Sequence, residues 1–197
     1  MKSKRIVPVL IAILLCSVPS VHAGETYQVD PAHSDVIFKI RHLVSNVTGN
    51  FRDFSGTLDI DRSNLTHSSV EFTIETASID TANERRDTHL RSADFFDVEK
   101  FPEITFKSTK ITKAKGDTYD VKGEFTMHGI TKEIVVPVEV MGFASHERFG
   151  ERAGFTAMLS LDRNDYGIGW NMPMGADSVV LGEDVYIEIN IEAFKPQ

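Results

Sequence analysis

From Gly24 onward, apolar and polar residues alternate with period two along short segments bounded by turn residues, the pattern of antiparallel strands with one apolar face. Val36, Phe38 and Ile40 share one parity, opposite Asp35, Lys39 and Arg41. Phe54, Gly56, Leu58 and Ile60 alternate with Ser55, Thr57, Asp59 and Asp61. Val70, Phe72 and Ile74 follow, then Ile104 and Phe106, then Tyr119, Val121, Gly123, Phe125 and Met127. Ile134, Val136, Val138 and Val140 stand opposite Glu133 and Glu139, and Phe155, Ala157, Leu159 and Leu161 repeat the theme. In the last segment Val185, Ile187, Ile189 and Ile191 alternate with Tyr186, Glu188, Asn190 and Glu192. This predicts eight strands, with turns at Lys115-Gly116-Asp117 and Met127-His128-Gly129.

A flat sheet of eight strands would leave two edges and a whole apolar face in water, so the chain must close on itself or pack as two sheets. An eight-stranded barrel is wide enough either to be filled by side chains or to hold one small ligand. The parity places Val36, Phe38, Ile40, Phe54, Leu58, Phe72, Phe106, Phe125, Val136, Phe155, Ala157, Leu159, Ile187 and Ile189 inward. Small residues among them, Gly56, Gly123 and Ala157, leave lumen volume if no neighbour fills it. The pattern by itself does not choose between a lumen and a filled core.

One stretch interrupts the alternation. NERRDTHLRSADFFDVEKFPEITFKST, Asn83 to Thr109, sets a dense run of charges before an apolar strand. A short helix from about Asp87 to Ala93, within an insert around 84–96, would bring Asp87, Arg91 and Asp94 together and turn Leu90 and Ala93 inward. Such a lattice either anchors the helix over one end of the barrel or forms a head-group site from Arg85, Arg86, Asp87, His89, Arg91 and Asp94, in which the arginine guanidinium forks suit pyrophosphate or quinone oxygens.

The N-terminus reads differently. Lys2, Lys4 and Arg5 precede a nearly apolar run from Ile6 to Val18, and Val21-His22-Ala23 supplies small residues for a cut before Gly24. Residues 1–23 therefore read as a secretory signal peptide and 24–197 as one domain; the apolar run is shorter than the ~20 residues a membrane span needs. Cys16, the only cysteine of the chain, would leave with the signal. Cleavage also removes three basic residues and takes the formal net charge from −8 to −11. An acidic chain without a thiol points away from nucleic acid, from anionic membrane surfaces and from cysteine catalysis, and towards an oxidising compartment, the periplasm.

Candidate chemistry is sparse. The histidines show no metal-binding spacing, no serine lies in a GxSxG elbow, and no Gly-rich loop opens a helix, so neither a catalytic set nor a metal or cofactor is predicted. His42 ends the first strand, either at a barrel mouth or as a surface residue closing a turn. RNDYGIGWNMPMG, Arg163 to Gly175, gathers Tyr166, Trp170, Met172 and Met174 without alternation, as a plug over the rim or a lid adaptable to hydrocarbon.

Most of the chain after residue 24 resembles the YceI family, through YQVDPAHSDVIFKIRHLVSNVTGNF, FSGTLDID, IDTANERRDTHLRSADFFDVEKFPEITFKST, VKGEFTMHGITKEIVVPVEVMG and RAGFTAMLSLDRNDYGI. The resemblance implies an all-β, lipocalin-like antiparallel barrel with a hydrophobic pore holding an isoprenoid chain, in a secreted and often dimeric protein, and carries no catalytic residues. The expected function is binding, sequestration or transport of a polyisoprenoid of the quinone or polyprenyl phosphate type, with transient contact to a membrane or membrane enzyme. An enzyme acting on such lipids, built around His42, and a stress-response scaffold with a filled core are the alternatives.

Overall fold

The computed structural model describes residues 24–173 and 180–196. The segment read as a signal peptide, with Cys16, lies outside them, as does Met174. Eleven strands form one antiparallel sheet: β1 (Glu25–Val29), β2 (Asp35–His42), β3 (Ser45–Phe51), β4 (Phe54–Ile60), β5 (Ser69–Glu75), β6 (Ile79–Asp80), β7 (Glu103–Lys113), β8 (Thr118–Met127), β9 (Ile130–His146), β10 (Gly150–Asp162) and β11 (Leu181–Phe194).

Eight strands in the sequence become eleven because the first three are each broken once. β1 and β2 are separated by a turn of 3-10 helix at Pro31–His33 and both pair with β11, through Gln28↔Phe194 and Tyr186↔Lys39. β3 and β4 bend at Arg52 and Asp53, and a 3-10 turn at Thr76–Ser78 divides β5 from β6. Counted through these bends, eight antiparallel strands run up and down, and pairing of β1 with both β4 and β11 closes the barrel. Closure removes the edges that an open sheet would expose, except along Ser45 to Gly49 of β3, which pair with β2 alone.

The registers follow the alternation. Phe106 lies opposite Phe125, Leu159 opposite Ile187 and Ile189 opposite Val36, while Lys39, Asp59, Glu139 and Glu188 are exposed on the outer face. A slip of one residue would exchange these faces. The β8–β9 hairpin turns on His128 and Gly129, at φ 51 and φ 75, which is the double positive φ of a type I′ loop.

Two clusters fill the barrel in part. One gathers Phe51, Phe54, Ile74, Ile79, Phe95, Ile104, Met127, Tyr166 and Ile168 near the helix; the other joins Tyr27, Ile60, Ala153 and Ala193, where β1 meets β11. The helix, α1 (Glu84–Arg91), starts earlier than the charge spacing alone suggests. Asn83 caps it, its side chain accepting from Arg86 N at 3.0 Å, with Glu84 and Asp87 in the first turn and His89 and Arg91 in the last, an order that suits the helix dipole.

Candidate functional site: an apolar cavity with a basic end

Between the two clusters runs a cavity of about 680 Å³, within the range of roughly 300–1,000 Å³ typical of small-molecule sites. Its wall takes in Val36, Phe38, Ile40, Leu58, Phe72, Phe106, Phe125, Val136, Phe155, Ala157, Leu159, Ile187 and Ile189. Phe54 is the exception among the residues of inward parity. It is buried, its ring stacked on Phe72 at 5.8 Å, and does not reach the cavity.

The glycines do not supply the volume. A Cβ on Gly56 would stand 2.7 Å from the Phe72 ring, and one on Gly123 would stand 2.6 Å from Phe106 and 2.5 Å from the Lys107 carbonyl. Gly49 is covered by Phe38 in the same way, at 2.5 Å. Aromatic rings lying over glycines on neighbouring strands restore the packing that the glycines lack. Among the small inward residues only Ala157 faces the lumen.

The two ends of the cavity differ. Towards the β4–β5 and β7–β8 turns it is lined by Leu65, Ser68, Ser69, Ile111 and Tyr119; towards α1 it meets His42, Thr81, Asn83, Arg85, Arg86, His89, Arg163 and Trp170. The chain carries 29 acidic and 21 basic residues, yet among the described residues of the wall the charged ones are Arg85, Arg86 and Arg163, with no Asp, Glu or Lys. At the α1 end β3 pairs with β6 only at Asn50 and Phe51, so Ser45 to Gly49 have no strand on that side. There Val47 of β3 and Arg85 of α1 both border the cavity.

The charges around α1 are arranged otherwise than their spacing suggests. Asp87 is buried and takes no bond from Arg91; the Thr81 N–H (3.0 Å) and hydroxyl donate to it, and the same hydroxyl accepts from Arg86 Nε at 2.7 Å. A single threonine thus bridges a buried carboxylate to a guanidinium. Arg91 instead donates to the carbonyls of Ala77 and Ile79, both at 2.8 Å, clamping the helix to the segment before it. Asp94 is exposed and pairs with His89 at 2.9 Å, and Ala93 faces solvent rather than the interior. Asp87, not Asp94, is therefore the carboxylate on which the helix depends. Thr81→Val keeps the shape and removes the bridging hydroxyl, so it is expected to destabilise the fold by about 2–3 kcal/mol, read as a lower urea midpoint with unchanged slope.

The segment after β10 plugs more than it covers. Tyr166 is 1% exposed, set edge-on against Phe125 at 5.4 Å, and does not line the cavity; burial pushes its phenol pKa up. Trp170 does line it, held edge-on to His89 at 4.9 Å and tilted on Phe95 at 5.1 Å. Met172 is exposed and away from the lumen. The residue that the alternation gave no reason to notice is Arg163. It is buried, donates to the carbonyls of Ile168, Trp170 and Gly182, and so ties the plug to the start of β11; burial lowers its pKa.

Away from the cavity, Asp30, His33 and Glu192 bring potential metal-ligand atoms within 4.8 Å of one another. Arg152 already pairs with both carboxylates, with Nη1 3.2 Å from Asp30 and Nε 3.6 Å from Glu192. Sequence spacing could not show this group, because Glu192 comes from the far end of the chain.

Comparison with known proteins places the chain. Residues 27–193 match the YceI-like domain. Protein YceI of Salmonella arizonae is 38% identical over 181 residues, covering 90% of this chain and 94% of that protein. Among solved structures, the Campylobacter jejuni YceI protein is 33% identical with a TM-score of 0.69 over 85% of this chain and 96% of that one. Burkholderia cenocepacia BcnA is 26% identical with a TM-score of 0.74, over 83% and 98%. A polyisoprenoid-binding domain of Saccharophagus degradans, implicated in plant cell wall breakdown, shares the fold at 16% identity and a TM-score of 0.65, over 86% of this chain and 98% of that one. With its closed barrel, the single α-helix among the described residues and this match across nearly the whole described chain, the protein belongs to the YceI-like family.

Proposed function

We propose that this protein binds a polyisoprenoid lipid in the periplasm, with the hydrocarbon in the barrel and an anionic head group, of the polyprenyl phosphate kind, at the α1 end. The carrying observation is the asymmetry of the cavity: an apolar slot whose charged wall residues, among those described, are arginines gathered at one end. The shared fold with a polyisoprenoid-binding domain supports the choice of hydrocarbon. At about 0.8 kcal/mol per buried CH₂, ten carbons contribute roughly 8 kcal/mol of gross binding free energy. That is comparable with the ~4–15 kcal/mol that association costs, so a longer chain binds with few polar contacts.

Arg85 is exposed and borders the cavity, free to turn towards a phosphate, whereas Arg86 already spends Nε and Nη2 on Thr81. A quinone would need hydrogen-bond donors but no positive charge, and the exposed Arg85, with Arg86 next to it and no acid among the described wall residues, favours the anion. The test is extraction of natively purified protein into organic solvent, followed by mass spectrometry. An acidic prenyl lipid is expected. A neutral prenyl lipid overturns the head-group assignment, and protein free of lipid overturns the binding reading.

A further inference from the structure

The hairpin joining β2 to β3 departs from the chemistry of its turn. His42 pairs with Ser45, so Leu43 and Val44 form a two-residue loop. Leu43 has φ 54 and Val44 does not share the positive sign, the arrangement of a type II′ turn, whose first central position ordinarily holds glycine. At three other positive-φ turn positions the chain does place glycine, at Gly116, Gly129 and Gly150. Here a leucine takes the strained conformation, and the β-branched Val44 beside it is 102% exposed. Ala82, Asp97 and His128 also stand at positive φ without being glycine, but only the β2–β3 turn combines such a residue with a fully exposed β-branched neighbour; neither choice helps the turn to form, which points to a use outside folding.

The position of the turn supplies the use. Leu43 N donates to Val180 O at 2.8 Å, and Val180 N donates to Met172 O at 3.0 Å, so the tip is continuous with a second apolar segment whose Met172 is 53% exposed. Immediately below, His42 and Leu181 pair across β2 and β11 and both line the cavity. Arg41 is exposed beside the tip, its Nε donating to Leu43 O at 3.1 Å.

We propose that Leu43, Val44 and Met172 form a membrane-docking tip that dips into the surface of a lipid bilayer and brings the basic end of the cavity to its lipid source. This rests on the lipid-binding reading above. A ligand that is mostly hydrocarbon resides in a membrane, and the apolar tip adjoins the end of the cavity where its head group would rest. Two exposed side chains, Val44 and Met172, with the half-buried Leu43 beside Val44, are far too few for a protein interface of roughly 800 Å² per partner, but they suit shallow interfacial insertion, with Arg41 and Arg85 at the level of lipid phosphates.

The test compares wild type with the double variant Leu43→Gly, Val44→Asn, which installs the residues a two-residue turn favours. Farnesyl phosphate in solution measures the cavity, and transfer of a fluorescent long-chain prenyl phosphate out of phosphatidylethanolamine–phosphatidylglycerol vesicles measures docking. The variant is expected to melt at the same or a higher temperature, to bind farnesyl phosphate as wild type does, and to transfer the long-chain lipid about tenfold more slowly or worse, because each apolar side chain lost from the interface is worth a factor of that order. Val44→Trp should raise co-flotation with vesicles. Unchanged transfer and flotation in both variants overturn the docking tip while leaving the binding reading intact. Loss of a dimer on sedimentation, with transfer unchanged, overturns it in favour of a contact between copies. Failure of wild type to bind farnesyl phosphate overturns both.

Discussion

Ala157→Phe should yield a folded protein that carries no lipid. Ala157 is 9% exposed, lies between Val138 of β9 and Ile189 of β11, and faces the cavity. A phenyl ring there enters space that a hydrocarbon chain would otherwise fill. Inserting a ring into a filled core costs about 1–3 kcal/mol in strain, whereas a cavity of about 680 Å³ can absorb it. The melting temperature should therefore stay near that of wild type while extracted lipid falls below detection. A well-folded variant that still carries lipid would contradict the use of the lumen. Gly123→Phe makes the contrast: with Phe106 and the Lys107 carbonyl already against Gly123, it should lose several kcal/mol of stability rather than block the cavity cleanly.

Arg163→Met should be the most destabilising single change at the plug. Arg163 is 3% exposed, and its guanidinium serves Gly182 O at 2.8 Å, Trp170 O at 2.9 Å and Ile168 O. Methionine fills much of the same volume but leaves these carbonyls with fewer donors. Bonds from a charged donor contribute roughly 1.5–3 kcal/mol each, and relief of the buried charge offsets part of their loss. A net loss of about 3 kcal/mol is expected, or a fall in melting temperature of about 6–12 °C for a domain of this size. Trp170 is the only tryptophan of the chain, so its emission should shift to the red in the same variant as the plug loosens. An unshifted spectrum with unchanged stability would show that Arg163 does not hold the plug.

Both expectations depend on features of different legibility. The inward parity of β2, β4, β5 and β7 to β11 could be read from the chain, because in a strand every second residue faces the core and a closed sheet leaves no freedom to slip. The type I′ turn at His128-Gly129 was visible for a similar local reason. Phe54 shows the limit: its parity is correct, but whether an inward ring reaches a cavity or a packed cluster depends on what stands across the barrel. The small inward residues divide the same way. Gly56 and Gly123 are covered by phenylalanines from neighbouring strands and Ala157 is not.

Around α1 the charges were conspicuous but their partners were not. Spacing of three or four along a helix brings Asp87, Arg91 and Asp94 within reach of one another, and such pairs are weak where backbone carbonyls and a buried hydroxyl compete. Thr81 captures Asp87, the carbonyls of Ala77 and Ile79 capture Arg91, and His89 captures Asp94. Arg163 and Met172 sit in a segment without periodicity, where the sequence offers composition but no geometry.

What the sequence alone determined about this protein is which face of each strand is apolar, where the chain turns, and that a charged helix interrupts the strands, since these follow from contacts between near neighbours. What only the tertiary structure decided is the pairing of β1 with β11 that closes the barrel, the choice between a filled core and a lumen, and the gathering of Arg85, Arg86 and Arg163 at one end of it. Those outcomes depend on residues distant along the chain meeting across the barrel, and local spacing carries no record of which of them will meet.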